Sequence, residues 1–330
     1  MITIKDVAKK AGVSITTVSM VLNNTENKIS DKTRKKVIKA AKDLNYKPNI
    51  IAKSLVQKKS NSVLLVIPDI TNPFFAHLAK KLSIEFEEKG YKLYIHNTSF
   101  EKFDEEIFQD IVDRNFIELS LLVDRKAKYF SKEVRKNKKI IFLDEIDYNE
   151  DSILITGNNE KGGYIATKFL LSRGYKNIAV VIGPKDTANS SRRLSGFLKC
   201  MMDNNLYFDP KNIYHGNYTL EGGYQAAKYL IKRNIDAVFC FNDMSAYGFL
   251  NYCKEKNIDV PNDLAIIGYD NLFFDNIVNP RLTSICQNWT KIAKKTAQIA
   301  EIVLNEKKLI KKKYLIEPKL IIRDSVGVKK

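Results

Sequence analysis

From Ser62 onward, short apolar runs alternate with amphipathic stretches, and this alternation leaves little choice of fold. SVLLVIP reads as a buried strand, and residues from about Phe74 to Lys89 as a helix. KLYIHN, IELSLLV, KIIFLD and ILITG continue the strand series, with a helical segment near residues 102–115. A second series starts at Lys161: a helix to about Arg173, the strand NIAVVIG, a helix from Leu194, another near 221–234, the strand AVFCF, a helix over 244–256 and the strand LAIIGY. Strands that are apolar throughout, separated by helices, imply parallel sheets covered on both faces. Two such series imply two α/β lobes. The late helix over 290–305 is expected to pack back on the first lobe, so that the chain crosses between lobes more than once.

The first sixty residues differ in kind. They hold 14 Lys/Arg and 4 Asp/Glu, a net of +10, whereas the other 270 residues hold 41 and 34, a net of +7. A lysine-rich bias alone would spread the charge evenly. A basic segment on a nearly balanced body points to a polyanion-binding module on a carrier. Thr3 and Asp6 form a capping-box pattern that opens a helix with Val7, Ala8 and Ala11 on one face. Gly12 stops it, and Ser14 caps a second helix with Val18, Val21 and Leu22 inside. Ser30 or Asp31 caps a third, carrying Val37, Ile38, Ala41 and Leu44, which Asn45 closes. Three short helices, the first two joined by a tight Gly turn, describe a helix-turn-helix. Thr16, Ser19, Met20 and Asn23 lie opposite the apolar stripe, on the face that such a motif presents to the major groove. Pro48 then breaks the chain, and Asn49 caps a two-turn helix that is marginal on its own.

Several functions are excluded. No apolar run reaches the roughly 18–20 residues that span a bilayer, and MITIKDVAKKAG has no apolar signal core, so a cytoplasmic protein is expected. Cys200, Cys240, Cys253 and Cys286 are far apart, without CxxC or zinc spacing; reduced, packed cysteines and no metal or cofactor are expected. No GxGxxG follows a strand, no Walker loop, HExxH or GxSxG occurs, and His77, His96 and His215 are scattered, so an enzyme is not expected.

In open α/β sheets, ligands bind beyond the carboxyl ends of the strands. Asp69 to Phe75, Asn97, Asp144, Asn242-Asp243 and Asp270-Asn271 fall there, and Arg192 and Arg193 follow the GPKDTANSS loop. Carboxylates and an arginine hydrogen-bond vicinal hydroxyls, and aromatic rings stack on sugar C–H faces. Singly, each residue could equally cap a helix, turn the chain or fill a core. Together at one sheet edge they favour a pocket for a polyhydroxyl ligand.

TIKDVAKKAGVSITTVSMVLN, then SDKTRKKVIKAAKDLNYKPNIIAKSL, closely resembles the head and hinge of the lactose-repressor/galactose-repressor family of bacterial transcription factors, continuously over about 55 residues. IPDITNPFF, RRLSGF, FNDMSAYG, IIGYDN and PRLTSICQ extend the resemblance over the body. The implied fold is an all-α helix-turn-helix head plus an α/β periplasmic-binding-protein-like core of two parallel-sheet lobes. The implied organisation is a head over 1–46, a hinge helix and linker over 47–60, and an effector-binding core over 61–330. Lobe one would hold about 61–157 and 289–317, and lobe two about 158–288 and 318–330. In the family, dimers set recognition helices in two half-sites of a palindrome, and paired hinge helices wedge a leucine into the central minor groove. By position that leucine is Leu55, beside Ala52. The DNA-contact candidates are Thr3, Ser14, Thr16, Thr17, Ser19, Met20, Asn23, Asn49, Ala52, Lys53 and Leu55. Met20 departs from the larger polar or basic reader that relatives often carry. The effector-contact candidates are Asp69, Asn72, Phe74, Phe75, Arg193, Tyr218, Asn242, Asp270 and Gln287. IELSLLVDR departs from the family's VDGIIL-like strand. No leucine-heptad tail follows IIRDSVGVKK, so a homodimer rather than a coiled-coil tetramer is expected.

The function implied is a repressor of a sugar-utilisation operon. It would bind palindromic double-stranded DNA and respond to a sugar or sugar-phosphate effector through lobe closure and hinge-helix order. The alternatives are a global carbon-catabolite regulator with a phosphorylated carrier protein as co-repressor, an exported receptor, which the missing signal opposes, and a sugar-converting enzyme on the same fold.

Overall fold

Small aliphatic side chains let three helices meet closely in the N-terminal segment. The computed structural model describes residues 2–22, 29–46, 60–98, 103–123, 129–137, 139–143, 152–185 and 187–329. Residues 1–60 and 61–330 are separate compact units. In the first, α1 spans Ile4–Ala11, α2 Ile15–Leu22 and α3 Asp31–Asp43. The Asp6 carboxylate accepts the Thr3 backbone N–H and hydroxyl, both at 2.8 Å, which holds that carboxyl below its ordinary range and starts α1. Gly12 ends α1 at φ +66°, a conformation that strains any residue bearing a Cβ. Ser14 opens α2 by accepting the Thr17 N–H at 3.1 Å, and Ser30 opens α3 by accepting the Thr33 N–H at 3.3 Å. Asn45 follows α3 in the left-handed region, at φ 49°. Val7, Ala8, Val18, Val21, Val37, Ala40 and Ala41 form the core. One expectation is corrected here: Ile38 is half exposed and Ala40 is inside, because the 37, 40, 41, 44 spacing leaves position 38 on the flank.

In the second unit the strands are β1 Ser62–Ile67, β2 Lys92–Asn97, β3 Leu119–Leu122, β4 Ile140–Phe142, β5 Ile153–Gly157, β6 Ile178–Ile182, β7 Ile213–His215, β8 Ala237–Cys240, β9 Ala265–Asp270, β10 Thr283–Cys286, β11 Lys313–Ile316 and β12 Lys319–Ile321. The helices are α4 Pro73–Glu87, α5 Glu105–Arg114, the short α6 Lys132–Arg135, α7 Asn159–Ser172, α8 Ala188–Asp203, α9 Leu220–Leu230, α10 Asp243–Glu255 and α11 Trp289–Leu304. Sheet one has the order β11-β5-β4-β3-β1-β2 and is parallel throughout. Sheet two has the order β12-β10-β9-β8-β6-β7, with β12 antiparallel to β10 at its edge, a departure from the all-parallel expectation. Both faces of each sheet are covered, so the strands are apolar on both sides. In β1, Val63, Leu65 and Ile67 pack on α4 and α11, while Leu64 and Val66 face Phe108 of α5. In sheet two, Val180, Phe239 and Ile267 meet α7 and α8, and Val181, Val238 and Ile266 meet α9 and α10. Each such side chain contributes about 1.5–3 kcal/mol on burial.

Helix α8 begins at Ala188, six residues before the start expected from its apolar residues; Thr187 precedes it, and its first turn, ANSS, is polar enough to read as loop. Glycines let α7 and α8 touch backbone to backbone. A side chain on Gly163 would overlap the Arg193 carbonyl, and one on Gly196 the Glu160 carbonyl. Helix α11 returns to the first lobe, where Ile292, Ala293, Ala297 and Ala300 join its core. Three connections therefore cross between the lobes, after β5, β10 and β11. They run side by side: the Asn158 N–H donates to the Ile316 carbonyl at 2.8 Å, and a side chain on Gly157 would sit 3.2 Å from Gln287 Oε1.

Candidate functional site

On the head, the exposed face of α2 carries Thr16 and Met20, the latter 45% accessible. Ser19 is half-buried, and the Thr17 and Ser14 hydroxyls lie 2.8 Å apart, so both take part in the cap of α2. Thr3 is likewise engaged in the cap of α1. Ile15, read from sequence as neither core nor contact, is 44% exposed at the first turn of α2; being apolar, it gave no polar signal. Asn23, Asn49, Ala52, Lys53 and Leu55 lie outside the described residues.

In the core, the carboxyl ends of both sheets open on one cavity of about 290 Å³, near the lower end of the roughly 300–1,000 Å³ of small-molecule sites. Asp69, Asn72, Phe74 and Phe75 line it from the loop after β1 and the start of α4. Arg193 and Tyr218 line it from α8 and the loop after β7, and Asn242 and Asp270 from the ends of β8 and β9. Thr187, Asn189, Asn217 and Thr219 also line it, though no motif singled them out; the strand-end rule pointed to their loops. Gln287 is not among the lining residues. It stands behind Asp270, donating from Nε2 to Oδ1 at 2.6 Å.

Local chemistry fixes these groups before any ligand arrives. Asn72 Oδ1 accepts the Phe74 N–H at 3.1 Å, which starts α4 at Pro73 and puts Phe74 and Phe75 at the pocket. Phe74 packs edge-on against Phe75 at 4.8 Å and Trp289 at 4.7 Å. Asp69 Oδ1 takes the Thr71 N–H and hydroxyl. Asn242 caps α10 through the Ser245 N–H and donates to the Tyr218 carbonyl at 2.9 Å, so it shapes the 217–219 loop. The Tyr218 hydroxyl donates to Asn189 at 2.9 Å. Arg193 is buried: Nε donates to Asn159 at 2.9 Å, Nη1 donates to the Phe241 carbonyl, and the guanidinium lies 3.7 Å from the Tyr269 ring centre. Burial pushes the Tyr269 hydroxyl up, out of the range in which it ionises. Asp270 has φ 129°, a conformation that costs about 1–3 kcal/mol for a residue with a side chain; the Trp289 indole N–H holds its carbonyl at 3.1 Å.

Other strand-end candidates have structural duties. Asn97 accepts the Ile70 N–H, Asn271 accepts from Arg323, Arg192 is exposed, and Asp144 lies outside the described residues. Asp243 is fully buried, accepting the Leu272 N–H at 2.9 Å and the Ser284 hydroxyl at 2.7 Å. Beside it, Asp275 accepts the Tyr247 hydroxyl at 2.6 Å, with Arg323 Nη1 at 3.5 Å. Burial pushes both carboxyls up, and the neighbouring Asp243 carboxylate adds to the rise at Asp275. The pair ties the loop after β9 to the start of α10, directly behind the pocket. Because the folded pair binds its proton more tightly than the unfolded carboxyls, whose ordinary value is 3.8, the stabilisation from that proton is complete below about pH 4 and declines as pH rises toward the folded value of about 9. Asp275→Asn replaces the acid proton by an amide N–H and is expected to flatten this decline, by up to about 1.4 kcal/mol per pH unit. Urea midpoints at pH 5 and pH 9 measure it; an unchanged slope means the pair carries no such proton.

Among the described residues, no helix is long and apolar enough to cross a membrane and no cluster of His, Cys, Asp and Glu has metal-binding geometry. Residues 3–49 match the bacterial regulatory proteins of the lacI family, and residues 167–326 match the periplasmic binding protein-like domain. The chain is 33% identical to the HTH-type transcriptional regulator DegA of Bacillus subtilis (strain 168), over 98% of each chain. It is 33% identical to the HTH-type transcriptional repressor PurR of Histophilus somni (strain 2336), over 99% of each chain. Its fold is similar to that of a lac repressor dimer solved bound to operator and an anti-inducer, with a TM-score of 0.84 at 23% identity over 99% of each chain. The helix-turn-helix head, the two-lobed core and these full-length likenesses agree: the chain is a transcriptional regulator and belongs to the lacI family of bacterial regulatory proteins.

Proposed function

We propose that this regulator is a homodimeric repressor of a sugar-utilisation operon, with a sugar or sugar phosphate as effector. One observation carries the reading: Asp69, Asp270 and Arg193 converge with the rings of Phe74, Phe75 and Tyr218 on a single cavity. Carboxylates and a guanidinium serve vicinal hydroxyls or a phosphate, and the rings serve the C–H face of a sugar. Closure of the lobes about the three side-by-side connections would couple occupancy to DNA binding, and only to the extent that the effector binds the two conformations differently.

On DNA, we assign base reading to Thr16 and Met20, with Thr3, Ser14, Thr17, Ser19 and Asn23 supporting, and minor-groove contact to Asn49, Ala52, Lys53 and Leu55. Ile15, exposed beside Thr16, joins the reading face. A second copy of the chain is supported by apolar side chains left in solvent on the core, among them Tyr94 and Ile95 on the edge strand β2, and Phe273 and Ile277.

The test is calorimetric titration of the full chain with pentoses, hexoses, their phosphates, a disaccharide and a planar nucleobase. Operator is first selected from random DNA, then bound with and without each ligand. A monosaccharide or its phosphate that binds and shifts operator affinity supports the reading. A response to the nucleobase alone removes it. In the same selection, Met20→Arg is expected to move the half-site preference toward guanine at one position, with circular dichroism of the head unchanged. An unmoved preference places Met20 outside the readout.

A further inference from the structure

Sheet one is parallel throughout, so all its strands begin at one edge, opposite the pocket. That edge is basic. Lys92 begins β2, Lys139 precedes β4, and Lys313 begins β11. The connection from α11 into β11, NEKKLIKKK, holds five lysines and one glutamate. Leu309 of this connection packs on the lobe-one core, while Lys307, Lys308, Lys311 and Lys312 are exposed and the intervening Ile310 is fully in solvent. The carboxylates of this edge are partly committed: Glu118 accepts the Asn61 N–H and Glu301 pairs with Lys89.

The same edge is where the chain enters the lobe from the head. Asn61 accepts the Lys92 N–H at 2.8 Å, and the Lys312 carbonyl accepts the Leu154 N–H at 2.8 Å. β11 and β1 are four strand spacings apart, roughly 19 Å at about 4.8 Å each. Residues 47–60, the fourteen between the head's last described residue and Asn61, span at most about 50 Å when extended. DNA held by the head is thus tethered to the strand-start edge that carries these lysines.

We propose that Lys307, Lys308 and Lys311 form a second, sequence-independent DNA contact that grips phosphates flanking the operator, up to about 15 base pairs from it at 3.4 Å per pair. The proposal rests on the head's reading as a DNA binder. It differs from that reading in predicting a dependence on duplex length. A cluster of lysines suits phosphates more than base edges.

The experiment compares full-length wild type with Lys307→Gln/Lys308→Gln/Lys311→Gln on the selected operator, as a minimal duplex and with fifteen base pairs added on each side, across a salt series. Wild type is expected to bind the long duplex at least about fivefold more tightly, with a steeper salt dependence by about 0.9 per phosphate contacted. The variant should bind the minimal duplex as wild type does and lose the length advantage. An equal advantage in both proteins, or none in wild type, overturns the proposal and leaves the lysines to an acidic protein partner. Absence of specific binding by wild type at either length would instead overturn the head's reading. Thermal melts of the variant, whose substitutions are all exposed, control for folding.

Discussion

Arg193→Met is expected to weaken effector binding by roughly 100-fold while the core still folds. Among the described residues the guanidinium is the one cation that lines the pocket from a buried position, and a hydrogen bond from a charged donor contributes about 1.5–3 kcal/mol, or one to two decades in Kd at 1.4 kcal/mol each. Methionine keeps the stem but leaves the Phe241 carbonyl without the guanidinium's donor and Asn159 Oδ1 with only the longer bond from the Tyr269 hydroxyl, which adds a loss of about 1–3 kcal/mol in stability. Arg193→Lys should rescue little, because an ammonium cannot serve the amide, the carbonyl and the Tyr269 ring face in one plane. Operator affinity without effector should stay within a few-fold of wild type. Calorimetry against the responsive ligand and a thermal melt of each variant test this; retained affinity in Arg193→Met would move the effector's polar contacts to the Asp69 side of the cavity.

A large loss of stability is expected from Gly196→Ala. In an isolated helix the change would gain up to about 1 kcal/mol. Here the new methyl meets the Glu160 carbonyl and the Tyr164 backbone of α7, and main chain yields less readily than a side chain. Overpacking costs typically about 1–3 kcal/mol and more where nothing can move, so a net loss of about 2–3 kcal/mol is expected, a fall of roughly 4–12 °C in Tm. Ser195→Ala, one residue away on the exposed side, is the control and should melt near wild type. Since α8 also carries Arg193, a shifted helix should weaken the effector as well, and a Gly196→Ala protein that melts like wild type would show that α7 and α8 separate without cost.

How much of this was legible in the sequence varies with the range of the interaction. Strands buried on both faces, such as SVLLVI, announce themselves by composition, and the head by its caps and charge. Arg193 belongs to a helical stripe with Gly196, Phe197 and Cys200, all buried, so periodicity places it inside and its neighbour Arg192 outside. Gln287 is an effector candidate by position, and its bond to Asp270, seventeen residues away, is a contact that no local pattern reveals. The Asp243–Asp275 pair is hidden for the same reason. Each residue alone reads as a helix or loop polar group, and only the return of Arg323 from the chain's end shows that the site is interior. Ile38 misled in a simpler way, since an apolar residue in a short helix is read as core unless its neighbours already fill the stripe.

Strands β11 and β12 are separated by two residues, yet one completes sheet one and the other sheet two. During synthesis this sets an order. The described helices of the head have all emerged by residue 46, whereas neither lobe can close its sheet until residues 313–321 follow. A chain released before that point carries a finished head on two unfinished lobes, with β5 and β10 presenting open edges to other chains. The last twentieth of the polypeptide thus decides whether either sheet is completed.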